Sequence, residues 1–129
     1  RCSKVFKIDD ATSKAVLGMY GNLNATRTAN VSEQTLSIRD QFSKGCLSSG
    51  IILNFIVDGM WNIDVNNDSI LFSSLKNTSW SMSLKGFSDN IKLEPTFTSP
   101  LKNTKREATR ISLSPIIENT EVIVDFGGI

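Results

Sequence analysis

The sequence predicts a mainly β domain, a small antiparallel barrel, closed or incomplete, with one short helix near its N-terminus. Three observations carry that expectation. Along Ile51, Leu53, Phe55 and Val57 every second side chain is apolar, and Ile52, Asn54, Ile56 and Asp58 fall on the other face. Trp80, Met82 and Leu84 alternate in the same way against three serines and Lys85. A period of two is that of a strand with one buried face. Between these runs, Asn66-Asn67-Asp68-Ser69 supplies residues that tolerate the backbone angles of a tight hairpin.

Taken in order, residues 3–8 form an apolar-rich opening segment. Asp9 or Asp10 can cap a short helix over Ala11–Leu17, ended by Gly18 or Gly21. Residues 22–34 are polar and suit an exposed strand or a long loop. Thr35–Arg39 alternates and leads towards Cys46, and Gly45 with Leu47–Gly50 marks a turn into the centre of the chain. There the first apolar run, the Gly59-Met60-Trp61 step, a strand bearing Trp61, Ile63 and Val65, and a return over Ile70, Leu71 and Phe72 should form one meander of consecutive strands. Ser79–Lys85 is the clearest strand. A turn over Gly86–Asn90 follows, then a strand through Ile91, Leu93 and Phe97 that Pro95 and Pro100 confine to an edge. Residues 101–110 hold the basic cluster Lys102, Lys105, Arg106 and Arg110, expected as a solvated loop or helical turn. Arg110–Pro115 and Glu121–Phe126 close the chain as two strands, with Val122, Val124 and Phe126 on one face. The candidate core or cavity lining is therefore Leu53, Phe55, Trp61, Ile63, Val65, Phe72, Trp80, Met82, Leu84, Val122, Val124 and Phe126.

At 129 residues and 40% apolar content, residues 1–129 suffice for one domain with a real core. Basic and acidic residues nearly balance, 14 against 13, so no direct nucleic-acid binding is indicated. Histidine is missing, which removes His-based triads, His general bases and His metal ligands. The serines of Ser79–Lys85 have no base beside them, and no Gly-rich phosphate loop follows a strand. Asp64-Val65-Asn66-Asn67-Asp68 begins like a calcium loop, but Ser69 stands where the loop needs glycine and Leu75 where it needs glutamate. No catalysis, cofactor or metal is expected.

Two cysteines, Cys2 and Cys46, are too few for a zinc site without histidine. They read as one disulfide or as two buried thiols. A bridge would close a loop of about 45 residues and place the domain outside a reducing cytosol. Sequons begin at Asn24, Asn30, Asn67 and Asn77, no more than so Ser-, Thr- and Asn-rich a chain yields by chance. No apolar run approaches the roughly 18 residues of a membrane helix. The sequence opens on Arg1-Cys2 without methionine and is expected to be processed or part of a longer protein, with any anchor or signal upstream. Trp61 and Trp80 either fill the core or line a cavity for an apolar ligand.

At the Gly-x-Trp step a resemblance enters. Gly59, Trp61, Ile63, Asn67, Ile70, Leu71, Phe72 and Ser73, with Arg110–Leu113 and Glu121–Phe126, resemble the ToxS- and VtrC-type periplasmic companions of ToxR-like, membrane-spanning transcription regulators. The matches cover about half the chain. Gly-x-Trp is also a lipocalin feature, usually on the first strand, and the barrel implied is lipocalin-like. Cys2 and Cys46 depart from the general pattern, and companions that control fimbrial operons, of MyfF/PsaF type, would fit them.

The resemblance implies a virulence-linked regulatory domain in the periplasm, held to the bacterial inner membrane by one upstream helix. Its partner would be the periplasmic domain of a ToxR-like regulator, which it protects and helps to dimerise. A bile salt or another apolar signal would enter a shared barrel. A barrel with an open seam offers unpaired strand edges, so the contact is expected at the edge beside Pro95 and Pro100 or at the N-terminal segment. The alternatives are a pilin-type fimbrial subunit with one disulfide and a lipocalin-like carrier.

Overall fold

A computed structural model describes residues 2–7, 12–18, 24–99 and 104–127, the first two ranges by backbone alone. Strands β1 (Cys2–Lys7), β2 (Thr12–Gly18), β3 (Asn24–Val31) and β4 (Thr35–Phe42) pair successively and antiparallel. A 3-10 turn at Leu47–Ser49 leads into β5 (Leu53–Asp58), β6 (Asn62–Val65), β7 (Ser69–Ser73) and β8 (Ser79–Lys85). The chain ends with β9 (Lys92–Thr98), β10 (Arg106–Leu113) and β11 (Asn119–Asp125). They form an eight-stranded sheet, β1-β2-β3-β4-β11-β8-β7-β6, and a three-stranded sheet, β5-β10-β9.

The alternation seen in the sequence decides which face each strand buries. In the large sheet Val122 stands between Ile38 and Leu84, and Val124 between Leu36 and Met82, with Ile70 beyond Met82. In the small sheet Phe55 pairs with Ile111 and Leu53 with Leu113. The two apolar faces meet in one core of Val57, Ile70, Phe72, Met82, Phe87, Ile111, Leu113, Val122 and Val124. Each such side chain contributes roughly 1.5–3 kcal/mol by leaving water. Ala25, Phe42 and Cys46 make a second cluster, on which Ile51 and Leu53 pack.

The mainly β, antiparallel domain is what forms, but no barrel closes. The Asn66–Ser69 hairpin is present, with the Asn66 N–H donating to the Ser69 carbonyl at 2.8 Å, and β9 with its Pro95 is an edge. The meander is a correction. β5 pairs with β10, not with β6, so Gly59-Met60-Trp61 carries the chain from one sheet to the other. The helix expected over Ala11–Leu17 is also corrected, because Thr12–Gly18 is β2 and pairs with β3 from Thr12↔Asn30 to Gly18↔Asn24. A lone helix of seven residues is marginal in water, whereas a ladder satisfies the same backbone groups and suits Thr12 and Val16. Of the basic cluster, Arg106 and Arg110 lie within β10 and Lys105 is exposed just before it, while Lys102 lies outside the described residues.

Candidate binding surface

Two features of this sandwich remain open. The first lies where the edge strands β6 and β9 face each other. Gly59 makes this corner possible: its N–H donates to the Glu107 carbonyl at 3.0 Å, and a Cβ on Gly59 would stand 2.7 Å from that oxygen. The turn delivers Trp61 and Ile63 opposite Leu93, Pro95 and Phe97, and a cleft of about 510 Å³ lies between them. Lys105 holds its ammonium 5.5 Å from the centre of the Phe97 ring.

Behind the cleft runs an aromatic row. Phe72 and Trp80 stack with centroids 3.8 Å apart, Phe126 lies 5.8 Å from Trp80 on the other side, and Trp61 meets Trp80 edge-on at 6.0 Å. Such pairs add about 0.5–1.5 kcal/mol each beyond burial. Phe72, Met82, Val122 and Val124 are buried, and Leu53, Phe55, Trp61, Ile63, Trp80 and Leu84 pack half-buried against them. Phe126 and Val65 stay exposed, Val65 because β6 is a four-residue edge strand. Trp80 is packed on three sides, and Trp61 walls the cleft.

The second open feature is the side of β5. The small sheet has three strands against eight, and β5 lies over β3 and β4, where Ile51 and Leu53 pack on Ala25 and Phe42. On the same inner face of β3, Arg27 sits beside Asp40 of β4, which sits beside Thr120 of β11. Arg27 donates from Nε and Nη2 to the two Asp40 oxygens at 2.8 and 2.9 Å. Asp40 is 3% exposed and Arg27 34%. The hydrogen bond and charge of Asp40 raise the Arg27 pKa, against the opposing effect of burial. The Thr120 hydroxyl, buried in the same row, has no hydrogen-bond partner among the described residues. Sequence reasoning missed this row, although the alternation Leu36, Ile38, Asp40 places a carboxylate on an apolar face.

Cys46 is buried, with its Sγ 3.5 Å from the Asn24 carbonyl and 3.4 Å from the Ser43 hydroxyl. The Cys2 side chain lies outside the described residues, so the pairing of Cys2 with Cys46 does too. Cys2 stands in register with Leu17, and through it with Ala25 and Phe42, the two residues that pack on Cys46.

The outer face of the large sheet carries a polar hollow of about 670 Å³ with Thr26, Thr28, Arg39, Lys85, Asn119 and Glu121 around it. All four arginines among the described residues are ion-paired: Arg27 with Asp40, Arg39 with Glu121, Arg106 with Asp58 and Arg110 with Glu94. No three Cys, Asp or Glu side chains gather to hold a metal among the described residues. No helix among them is long and apolar enough to cross a membrane.

No protein-family model and no curated protein matches the chain. Among solved structures, the chain is similar to the heparan sulfate lyase HepC from Pedobacter heparinus, with a TM-score of 0.66 at 12% identity over 100% of this chain and 22% of the lyase. A HepC mutant gives a TM-score of 0.65 at 13% identity, over 97% of this chain and 21% of the lyase. The chain thus spans about a fifth of that protein, and at such identities the likeness is one of fold alone.

Proposed function

We propose that this chain is a non-catalytic binding domain of the bacterial periplasm, one that pairs with the periplasmic domain of a ToxR-like transcription regulator and steadies it. The observation that carries the reading is the open sandwich, whose edge strands and apolar cleft leave places for another protein. Monomeric proteins usually blunt or cover such edges. The matches around Gly59, Trp61 and Phe72 point to this class of partner. In the same reading, the membrane helix lies outside this sequence, and the cleft beside Trp61 admits an apolar signal such as a bile salt. The genes controlled would be virulence or fimbrial operons.

The likeness to a heparan sulfate lyase offers a different reading, binding of a sulfated polysaccharide. It finds little support in the charges, since the described arginines are each engaged by a carboxylate.

The test is co-expression with the periplasmic domain of the ToxR-like regulator encoded beside this chain. A 1:1 complex in light scattering, with the regulator domain resisting protease only in that complex, is the expected result. Two species that elute separately and a regulator domain digested at an unchanged rate would overturn the reading.

A further inference from the structure

We propose that the polar hollow on the outer face of the large sheet binds an acidic, unsulfated oligosaccharide, a linear chain with carboxylates at intervals between uncharged, hydroxylated sugars. This goes beyond the pairing with a regulator domain and is separate from it in place and in chemistry.

Three observations lead there. The first is the order of charge along one cross-strand row. Lys14 of β2 stands in register with Thr28 of β3, Thr28 with Arg39 of β4, Arg39 with Glu121 of β11, and Glu121 with Lys85 of β8. Cationic residues therefore occupy every second strand, about 10 Å apart at roughly 4.8 Å per strand. Three cations against one carboxylate is a local excess in a chain whose net charge is only +1. Arg39 and Glu121 alternate with the buried Asp40 and Thr120, so the row runs along the solvent face.

The second is that the row keeps its hydrogen-bonding capacity. Arg39 uses Nε on Glu121 Oε2 at 2.8 Å, and its two Nη groups find no acceptor among the described residues. Lys85 pairs with no carboxylate among them. A parallel row, Thr26, Gln41 and Asn119, lies beside it. Hydroxyls and amides both donate and accept, which is the complement of a sugar's hydroxyl groups. Arg39 and Lys85 are the complement of its carboxylates.

The third observation is that the surface is walled. Ile117 belongs to the connection between β10 and β11, which is fastened at two points. The Ile116 N–H donates to the Gly86 carbonyl and the Phe42 N–H to the Glu118 carbonyl, both at 2.8 Å. Ile117 lies so close over Gly86 that a Cβ there would meet its Cγ1 at 2.8 Å. The fixed wall this makes beside Lys85 and Asn119 bounds a hollow of about 670 Å³. Ligand sites are concave, and a preformed wall lowers the ordering cost of binding.

The charge pattern narrows the ligand. A nucleic acid carries a negative charge on every unit and is held by many cations, whereas here a carboxylate, Glu121, stands between Arg39 and Lys85. The same carboxylate opposes a densely sulfated chain. A neutral oligosaccharide would leave the cations of the row without a counter-charge. A chain with carboxylates on alternate units meets the cations and offers hydroxyls to Thr28 and Glu121 between them.

The test titrates this chain with hyaluronan oligosaccharides, unsulfated chains with a carboxylate on every second sugar, by calorimetry and NMR at low salt. Binding is expected, with the largest amide shifts over Thr26–Thr28, Arg39–Gln41 and Asn119–Glu121, and it should weaken as salt is raised. Lys85→Gln and Asn119→Ala, both at exposed positions, should each weaken it about three- to fivefold with melting unchanged. Lys76→Gln, in the turn between β7 and β8, should leave it as it was. Uncharged chitin oligosaccharides should bind more weakly than hyaluronan. If hyaluronan moves none of these amides, or chitin oligosaccharides bind as well, the proposal is wrong. It is also wrong if Lys76→Gln weakens binding as much as Lys85→Gln, because the chain then responds to charge in general. Heparin oligosaccharides that bind where hyaluronan does not would overturn it as well. The regulator's domain takes no part in this titration, so each of these failures leaves the companion reading standing.

Discussion

Gly59 and Glu107 are joined at the end of the β5–β10 ladder by a single backbone hydrogen bond of 3.0 Å, from the Gly59 N–H to the Glu107 carbonyl. The contact holds the point where the chain leaves the small sheet for the large one. Gly59→Ala should therefore destabilise by about 1–3 kcal/mol, the range for overpacking a tight contact. Gly50→Ala is the control: no atom lies within 4 Å of its Cβ position, and only the left-handed backbone at φ +79° is strained. That strain costs about 1–2 kcal/mol. Urea denaturation of both variants separates the two causes, because only Gly59→Ala should also disturb the environment of Trp61.

The aromatic row predicts a division between stability and surface. Phe72 is fully buried and stacked on Trp80 at 3.8 Å, so Phe72→Ala should lose about 3–5 kcal/mol. Trp61 stands at the cleft, half-buried, and Trp61→Ala should cost less than half of that. Its loss should instead abolish any change in fluorescence when an apolar molecule enters beside it. Equal destabilisation by the two variants would contradict the placement of Trp61 at the cleft.

Arg27 and Asp40 should respond unequally to truncation. Arg27→Ala leaves a carboxylate that is 3% exposed without its partner, whereas Asp40→Ala leaves a guanidinium that already reaches water. Breaking a buried pair costs about 3–5 kcal/mol, and the exposure of Arg27 reduces this to about 2–3 kcal/mol for Arg27→Ala. Asp40→Ala should cost less. The raised pKa of Arg27 also fixes the sign of its pH dependence. Its contribution is complete below the unfolded value and lost only as pH rises through the higher folded one, so it should stay constant from about pH 6 to 9. Thermal melts of wild type and Arg27→Ala across that range should differ by a constant offset.

Cys46 is buried beside the row that contains Cys2 in register, and a Cys2–Cys46 bridge is the state expected under oxidising conditions. Intact mass without reductant should be two hydrogens short, with neither thiol alkylated after unfolding. The bridge should stabilise by about 4 kcal/mol on the loop-closure estimate, read as the loss on adding reductant. Two alkylated thiols would return Cys46 to the role of a small buried apolar residue.

How much of this was legible follows from what each residue answers to. Strand faces answer to neighbours in sequence, and the alternations at Leu53–Val57, Trp80–Leu84 and Val122–Val124 mark the faces on which Val57, Met82, Val122 and Val124 are buried. Hairpin Asn66–Ser69 was legible for the same reason. Gly59 answers to Glu107, 48 positions later, so its step looked like one more hairpin when it is a crossing between layers. Thr12–Gly18 carries no local pattern strong enough to oppose a capped helix, and its ladder with β3 decides the matter. Asp40 and Arg27 were invisible singly, since each gains its meaning from the pairing of β3 with β4. Phe87, one of the core residues, was passed over because it sits in a turn and is buried by its bridge to Pro115.

Hydrogen exchange measured along the edge strands β5, β6 and β9, with and without the regulator's periplasmic domain, tests the central claim most directly. In the isolated chain every second amide of Leu53–Asp58 faces an unpaired edge and should exchange rapidly. With saturating regulator domain the outward amides of at least one of these edges should slow by about a hundredfold. Protection that appears at none of these edges would contradict the account.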